Sequence, residues 1–158
     1  MTDSKASVVL VDDEEMVITS LRALLQLETE HDIHCFTDPA EAAKFLEIST
    51  VDVCVSDYLM PGMTGIQFLT RAKELQPEAS RVLLTGHADK QSAIAAINQV
   101  ALFQYVEKPW DNAQLLLVVQ SGAERAKLFR TLQAKISELD DVHANLKDVQ
   151  RRLLKAFM

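Results

Sequence analysis

Asp12, Asp13, Asp57, Thr85 and Lys108 share one feature: each closes, or closely follows, a short apolar run. If those runs are parallel strands, their carboxyl ends meet at one sheet edge and the five side chains converge in one pocket. Three carboxylates brought together repel, which either raises a pKa or recruits a cation. A hard divalent ion with oxygen ligands and retained waters meets that need, Mg²⁺ or Mn²⁺ being the natural candidates. A carboxylate nucleophile, a cation, a lysine and a hydroxyl together are the equipment of phosphoryl transfer. The cation and Lys108 would neutralise phosphoryl oxygens, and Thr85 would donate a hydrogen bond to one of them. Each piece also has a bland reading. Asp12-Asp13 reads alone as a strand exit and helix cap, Asp57 as a loop acid, and Thr85-Gly86 as a turn; their joint placement favours the site.

The elements that must position these residues alternate along the chain. Ser7–Asp12 is a continuous apolar run ended by acids, as in a strand buried on both faces. Glu14–Leu27 then sets Val17, Leu21, Leu24 and Leu25 at helical spacing. Ile33–Phe36 is a weaker strand, and Asp38-Pro39 opens a helix as N-cap and first helical residue. The spacing predicts further strands over Val51–Ser56, Arg81–Thr85 and Ala101–Val106. Helices are predicted over Gly65–Leu75 and Asp89–Asn98, and from Asp111. Five strands alternating with five helices predict an α/β fold, a doubly wound five-stranded parallel sheet with its chemistry at the strands' carboxyl ends.

Four segments occur in the order found in one family. They are Val-Asp-Asp-Glu around Asp12, Ser56-Asp57-Tyr-Leu-Met-Pro-Gly-Met-Thr-Gly65, Leu83-Leu-Thr-Gly86 and Glu107-Lys-Pro-Trp110. Together they resemble the response-regulator receiver domains of two-component systems, over about Ser7 to Gly122. The resemblance implies a flavodoxin-like fold in which Asp57 accepts a phosphoryl group from a histidine kinase, a phosphotransfer protein or a small phosphodonor. It implies that Asp12, Asp13, Asp57 and the backbone carbonyl of Leu59 hold Mg²⁺. Thr85 and Tyr105 fall on the family's two switch positions, although Tyr105 reads equally well as a plain strand aromatic on an exposed face. The Lys108-Pro109 bond is usually cis in these domains. The sequence around Glu107-Lys-Pro-Trp-Asp-Asn is most similar to receivers attached to cyclic-dinucleotide enzymes or transcriptional activators. No such output domain is recognised in these residues, which leaves a fragment or a short complete protein.

Beyond residues 1–122, taken as the receiver, residues 123–158 read as a helical tail continuous with the last receiver helix. Leu132, Leu139, Leu146 and Leu153 recur every seventh residue, with Phe129, Ile136, His143, Gln150 and Phe157 at the other seam position. This heptad pattern predicts a coiled-coil homodimer through the seam residues Phe129, Leu132, Ile136, Leu139, Leu146 and Leu153, with folding back onto the receiver or fraying as the alternatives.

Composition narrows the remaining classes. Net charge is −7, and from Ala123 onward eight Lys/Arg face five Asp/Glu, so the body carries −10 and the tail +3. An acidic body lacks the clustered cations that nucleic-acid phosphates require, so no direct DNA binding is expected. The polar start MTDSKAS and the lack of a long apolar stretch predict neither a signal peptide nor a membrane span. Cys35 and Cys54 lie in apolar runs and read as reduced core thiols of a cytoplasmic protein. His31, His34 and Cys35 do not complete a metal site, because His34 and Cys35 of a strand point to opposite faces. An aspartyl phosphatase would want a second acid two residues after its nucleophile, where Leu59 stands, and no Gly-rich nucleotide loop is present. The chain is therefore expected not to be an enzyme beyond self-phosphorylation and self-dephosphorylation at Asp57.

Overall fold

The structure, a computed structural model, describes residues 5–156; Phe157 of the expected seam and residues 1–4 lie outside the described residues. Five strands, β1 (Ser7–Val11), β2 (Asp32–Phe36), β3 (Val53–Asp57), β4 (Ser80–Thr85) and β5 (Gln104–Glu107), form one parallel sheet in the order β2-β1-β3-β4-β5. Between them run α1 (Glu15–Glu28), α2 (Pro39–Ile48), α3 (Gly65–Leu75) and α4 (Lys90–Val100), the last preceded by a 3₁₀ turn at His87–Asp89. Helix α5 (Asn112–Ala156) follows β5. The chain forms the expected doubly wound, flavodoxin-like sheet.

Unbroken apolar runs make these strands because both faces of the sheet are covered. On one face Val8, Leu10, Val55, Val82 and Leu84 pack with Leu21, Leu25, Leu115 and Val119 from α1 and α5. On the other, Val9, Val11, Cys54 and Leu83 pack with Leu46, Phe68, Leu69 and Ala93 from α2, α3 and α4. Each such side chain contributes about 1.5–3 kcal/mol when fully buried.

Local signals set the helix starts. Asp38 Oδ1 accepts from the Ala40 N–H at 3.0 Å, with Pro39 as first helical residue. Thr64 and Gln67 make a reciprocal capping box at the head of α3, which fixes where the loop after Asp57 ends. Asp111 caps α5, its Oδ2 accepting from the Gln114 N–H at 3.0 Å.

Several boundaries differ from expectation by a residue or two, β3 for example starting at Val53 and not Val51, and those of β5 and α4 have a clear cause. The apolar run Ala101-Leu-Phe does not belong to β5: Ala101 takes φ 50° and terminates α4, and β5 starts only at Gln104. Helix α4 starts at Lys90, because His87–Asp89 winds as the tighter turn. The chain divides into two compact units, the first ending at Ala126 and the second starting at Lys127. Ala123 and Ala126, within the first unit, are both buried. No helix among the described residues is long and apolar enough to cross a membrane.

Candidate functional site

The strand order reverses at β1 and β3, so the chain leaves the sheet in opposite directions there and opens a crevice at the carboxyl ends. Asp12 lies directly after β1, fully buried. Its backbone N–H is held by the Phe36 carbonyl at 3.2 Å, and its Oδ1 accepts from the Glu14 N–H at 2.9 Å. Asp12 is thus a strand exit, with one carboxylate oxygen taken up by the turn and the other facing Lys108, while the N-cap of α1 is Glu14. Asp57 closes β3 and is 8% exposed. Asp13 is exposed, yet one carboxylate oxygen from each of Asp12, Asp13 and Asp57 lies within 4.8 Å of the others. An all-oxygen set at that separation suits a hard divalent ion, and the residues present fit the group.

Lys108 follows β5 and is held by its own N–H to the Thr85 carbonyl at 2.8 Å; the Lys108-Pro109 bond is cis. Its ammonium Nζ bridges Asp12 Oδ2 and Asp57 Oδ1, each at 2.9 Å. Burial raises the Asp57 carboxyl above its ordinary range; the hydrogen bond from Lys108 opposes this and the Asp12 charge adds to it, leaving it raised. Burial pulls the Lys108 ammonium down, but the hydrogen bonds to Asp12 and Asp57 outweigh it and leave its pKa raised. The lysine thus keeps its charge between the two carboxylates.

Thr85 ends β4, fully buried, and its Oγ1 has no hydrogen-bond partner among the described residues. Such an orphan is unusual and points to an acceptor that arrives from outside. Tyr105 is half-buried against the cluster formed with α2, α3 and α4, not exposed as its plain strand reading supposed. Tyr105 pairs with Leu83 and Glu107 with Thr85. Residues two apart in a strand share a face, so Tyr105 and Thr85 stand on the same side of the sheet.

Leu59, in the loop after β3, is 57% exposed, and the turn beyond it is made by Gly62 at φ 83°. His87 is exposed at the rim, its Nδ1 3.3 Å from Glu107 Oε1. Away from the site, both ring nitrogens of His31 are engaged. Nδ1 accepts from the Ala6 N–H, and Nε2 lies 3.0 Å from Gln120 Oε1. His34 stacks against Phe45 with ring centres 4.6 Å apart.

Sequence reasoning gave two residues no role that the structure assigns to them. Gly65 presses on the backbone of Asp57, a contact that only a tertiary fold creates. Arg81 is buried and donates to the carbonyls of Val100, Ala101 and Ala79, clasping the end of α4 to β4. A charged residue opening an otherwise apolar strand was the available signal.

The family model for the response regulator receiver domain matches residues 8–120. The chain belongs to that family. Among curated relatives, this receiver is similar to the hydrogenase transcriptional regulatory protein HoxA of Cupriavidus necator, 33% identical over 140 residues. The alignment covers 89% of this chain and 28% of HoxA, so the chain spans under a third of that relative's length. The response regulator protein TodT of Pseudomonas putida is 24% identical, with 98% of this chain and 67% of TodT covered. Among solved structures, the signal receiver domain of an HD domain-containing protein from Pseudomonas fluorescens matches with a TM-score of 0.76 at 30% identity. That match covers 83% of this chain and 96% of the other. A receiver of this family serves two-component phosphorelay signalling.

Proposed function

We propose that Asp57 is the phosphoacceptor, taking its phosphoryl group from a histidine kinase, a phosphotransfer protein or a small phosphodonor. The observation that carries this reading is the single ammonium of Lys108 set 2.9 Å from both Asp12 and Asp57. A carboxylate so placed attacks phosphorus through Oδ2 while Oδ1 stays anchored to the lysine. One P–O bond forms to Asp57 and the bond to the donor's leaving atom breaks. The Lys108 ammonium, tethered through its backbone to Thr85, neutralises charge on the arriving phosphoryl oxygens. The Thr85 hydroxyl donates to one of those oxygens, ending its isolation. Mg²⁺ or Mn²⁺, held by Asp12, Asp13, Asp57 and the Leu59 carbonyl, would supply the remaining positive charge. Movement of Thr85 leaves room on its own side of the sheet into which the Tyr105 ring turns, carrying the change to the α4, β5 and α5 face.

The output of that change, in this reading, is association. The exposed leucine row of α5 from Leu132 to Leu153 supports pairing of two chains through the tail, joined by Phe129 and Ile136. The division of labour is a receiver up to about Gly122 and a coupling helix from Ala123 onward, in the cytoplasm. The family's relatives include transcriptional regulatory proteins, and in this reading the signal passes to a transcriptional output.

Intact mass after incubation with acetyl phosphate and Mg²⁺, beside Asp57→Asn, tests the proposal. One phosphoryl adduct is expected on the wild type, absent from the variant and absent when metal is withheld. A folded protein that takes no adduct from any donor would leave a constitutive scaffold in place of a switch.

A further inference from the structure

The second compact unit, from Lys127 onward, carries its apolar side chains in two rows, and the second row changes sides. Leu132, Leu139, Leu146 and Leu153 form the first row. Before Leu139 the companion is Ile136, three residues ahead of a row leucine. After it the companions are Val142 and Val149, each three residues behind one. The steps from Leu132 to Leu153 therefore run 4, 3, 3, 4, 3, 4 instead of alternating. The helix is unbroken through this stretch, and Val142 and Val149 are 53% and 50% exposed on it.

Each residue advances an α-helix by about 100°. Exchanging positions 143 and 150 for 142 and 149 thus moves the companion row from one flank of the leucines to the other. A uniform heptad would bury the imidazole of His143 and the amide of Gln150 while leaving two valines in water. Hydrophobic burial favours the opposite choice.

We infer that the chain pairs with a second copy of itself in a parallel two-stranded coiled coil whose seam crosses the leucine row between Leu139 and Val142. This rests on the dimer reading above and specifies where its seam runs. The additional three-residue step is a stammer, which overwinds the coil locally. Charge complementarity selects a second copy and the parallel sense. Ahead of the crossing Lys135 lies beside Asp140 of the partner subunit, and beyond it Glu138 lies beside His143 of the partner subunit and the neutral Asn145 beside Gln150 of the partner subunit, so no like charges oppose. Leucine at the first seam position with valine at the second also packs in larger bundles. The polar flanks Glu138, His143, Asn145 and Gln150 leave an apolar face only wide enough for two strands.

Single cysteines in the full chain test this, with Cys35→Ser as background and the fully buried Cys54 left in place. The set is Leu132→Cys, Val142→Cys, His143→Cys, Val149→Cys and Gln150→Cys, each oxidised mildly, with mass by light scattering. Val142→Cys and Val149→Cys are expected to crosslink at least about fivefold faster than His143→Cys and Gln150→Cys, because only seam positions reach disulfide distance. The reverse order would overturn the crossing and leave an ordinary coiled-coil dimer. No crosslink at any position, Leu132→Cys included, would overturn the dimer reading itself. A tetramer mass would overturn the two-stranded form. None of these outcomes bears on phosphorylation of Asp57, which the intact-mass experiment reads separately.

Discussion

A β-carbon on Gly65 would lie 2.0 Å from the carbonyl oxygen of Asp57 and 2.9 Å from its carbonyl carbon. The first turn of α3 is therefore pressed against the backbone of the proposed phosphoacceptor, and the Gly65 N–H secures it by donating to the Tyr58 carbonyl at 2.8 Å. Backbone cannot retreat as a flexible side chain can, so a side chain at position 65 would force the segment between Asp57 and α3 to shift.

Gly65→Ala should therefore cost more than a helix-interior exchange of glycine for alanine, which is usually favourable. The expected loss is roughly 2 kcal/mol or more, in the range of strained or overpacked sites. Urea denaturation reads it, and unchanged stability would show that the loop after Asp57 yields freely.

Lys108→Met removes the ammonium that bridges Asp12 and Asp57. Breaking a buried pair leaves uncompensated charge, and a loss of roughly 3 kcal/mol is expected without metal. Divalent cation should restore much of it, so the rise in melting temperature on adding Mg²⁺ should be larger for the variant than for the wild type. Equal Mg²⁺ shifts would mean that lysine and cation do not share the same carboxylates. Phosphorylation by acetyl phosphate should fall by roughly tenfold or more, as for loss of one electrostatic stabiliser.

The pH dependence of the metal-free protein follows from Asp57. Its folded-state pKa lies above the ordinary 3.8, mainly through burial. A carboxyl raised in this way binds its proton more tightly when folded. Its favourable contribution is full below the unfolded value and is lost as pH rises through the folded one. Without metal at neutral pH, Asp57→Asn should therefore melt higher than the wild type, and the difference should vanish below about pH 4. Scanning calorimetry across pH with a chelator present measures this; a variant that melts lower at neutral pH would mean that the Lys108 attraction outweighs burial.

Thr85→Val keeps the shape of a buried side chain and removes a hydroxyl without a partner. Burying an unsatisfied hydroxyl costs about 1–3 kcal/mol. The unphosphorylated variant should thus be at least as stable as the wild type, while Thr85→Ser should be less stable through loss of a methyl. In the phosphorylated state the order should reverse, because only a hydroxyl can donate to the phosphoryl group. Melting curves with and without acetyl phosphate separate the two effects.

The strands, their order along the chain and the five chemical residues were legible without coordinates. Continuous apolar runs ended by polar residues mark strands buried on two faces, and that signal is local. The cap at Asp38 was legible for the same reason, as was the start of a helix at Asp111. The apolar residues from Ala101 to Phe103 were misleading, because hydrophobicity alone does not distinguish a strand from the terminus of a helix. Arg81 settles that segment by taking the Val100 and Ala101 carbonyls. Tertiary structure alone decided that one ammonium spans Asp12 and Asp57, that Gly65 has no room for a side chain and that Thr85 is left without a partner. Each of these depends on distances set by the packed backbone, from the short separation of Asp57 and Gly65 to the much longer one of Asp12 and Lys108, which no periodicity encodes. The chemical inventory of the site was thus written in the chain by residue type and strand ends, whereas its geometry arose only when five parallel strands brought those ends to one edge.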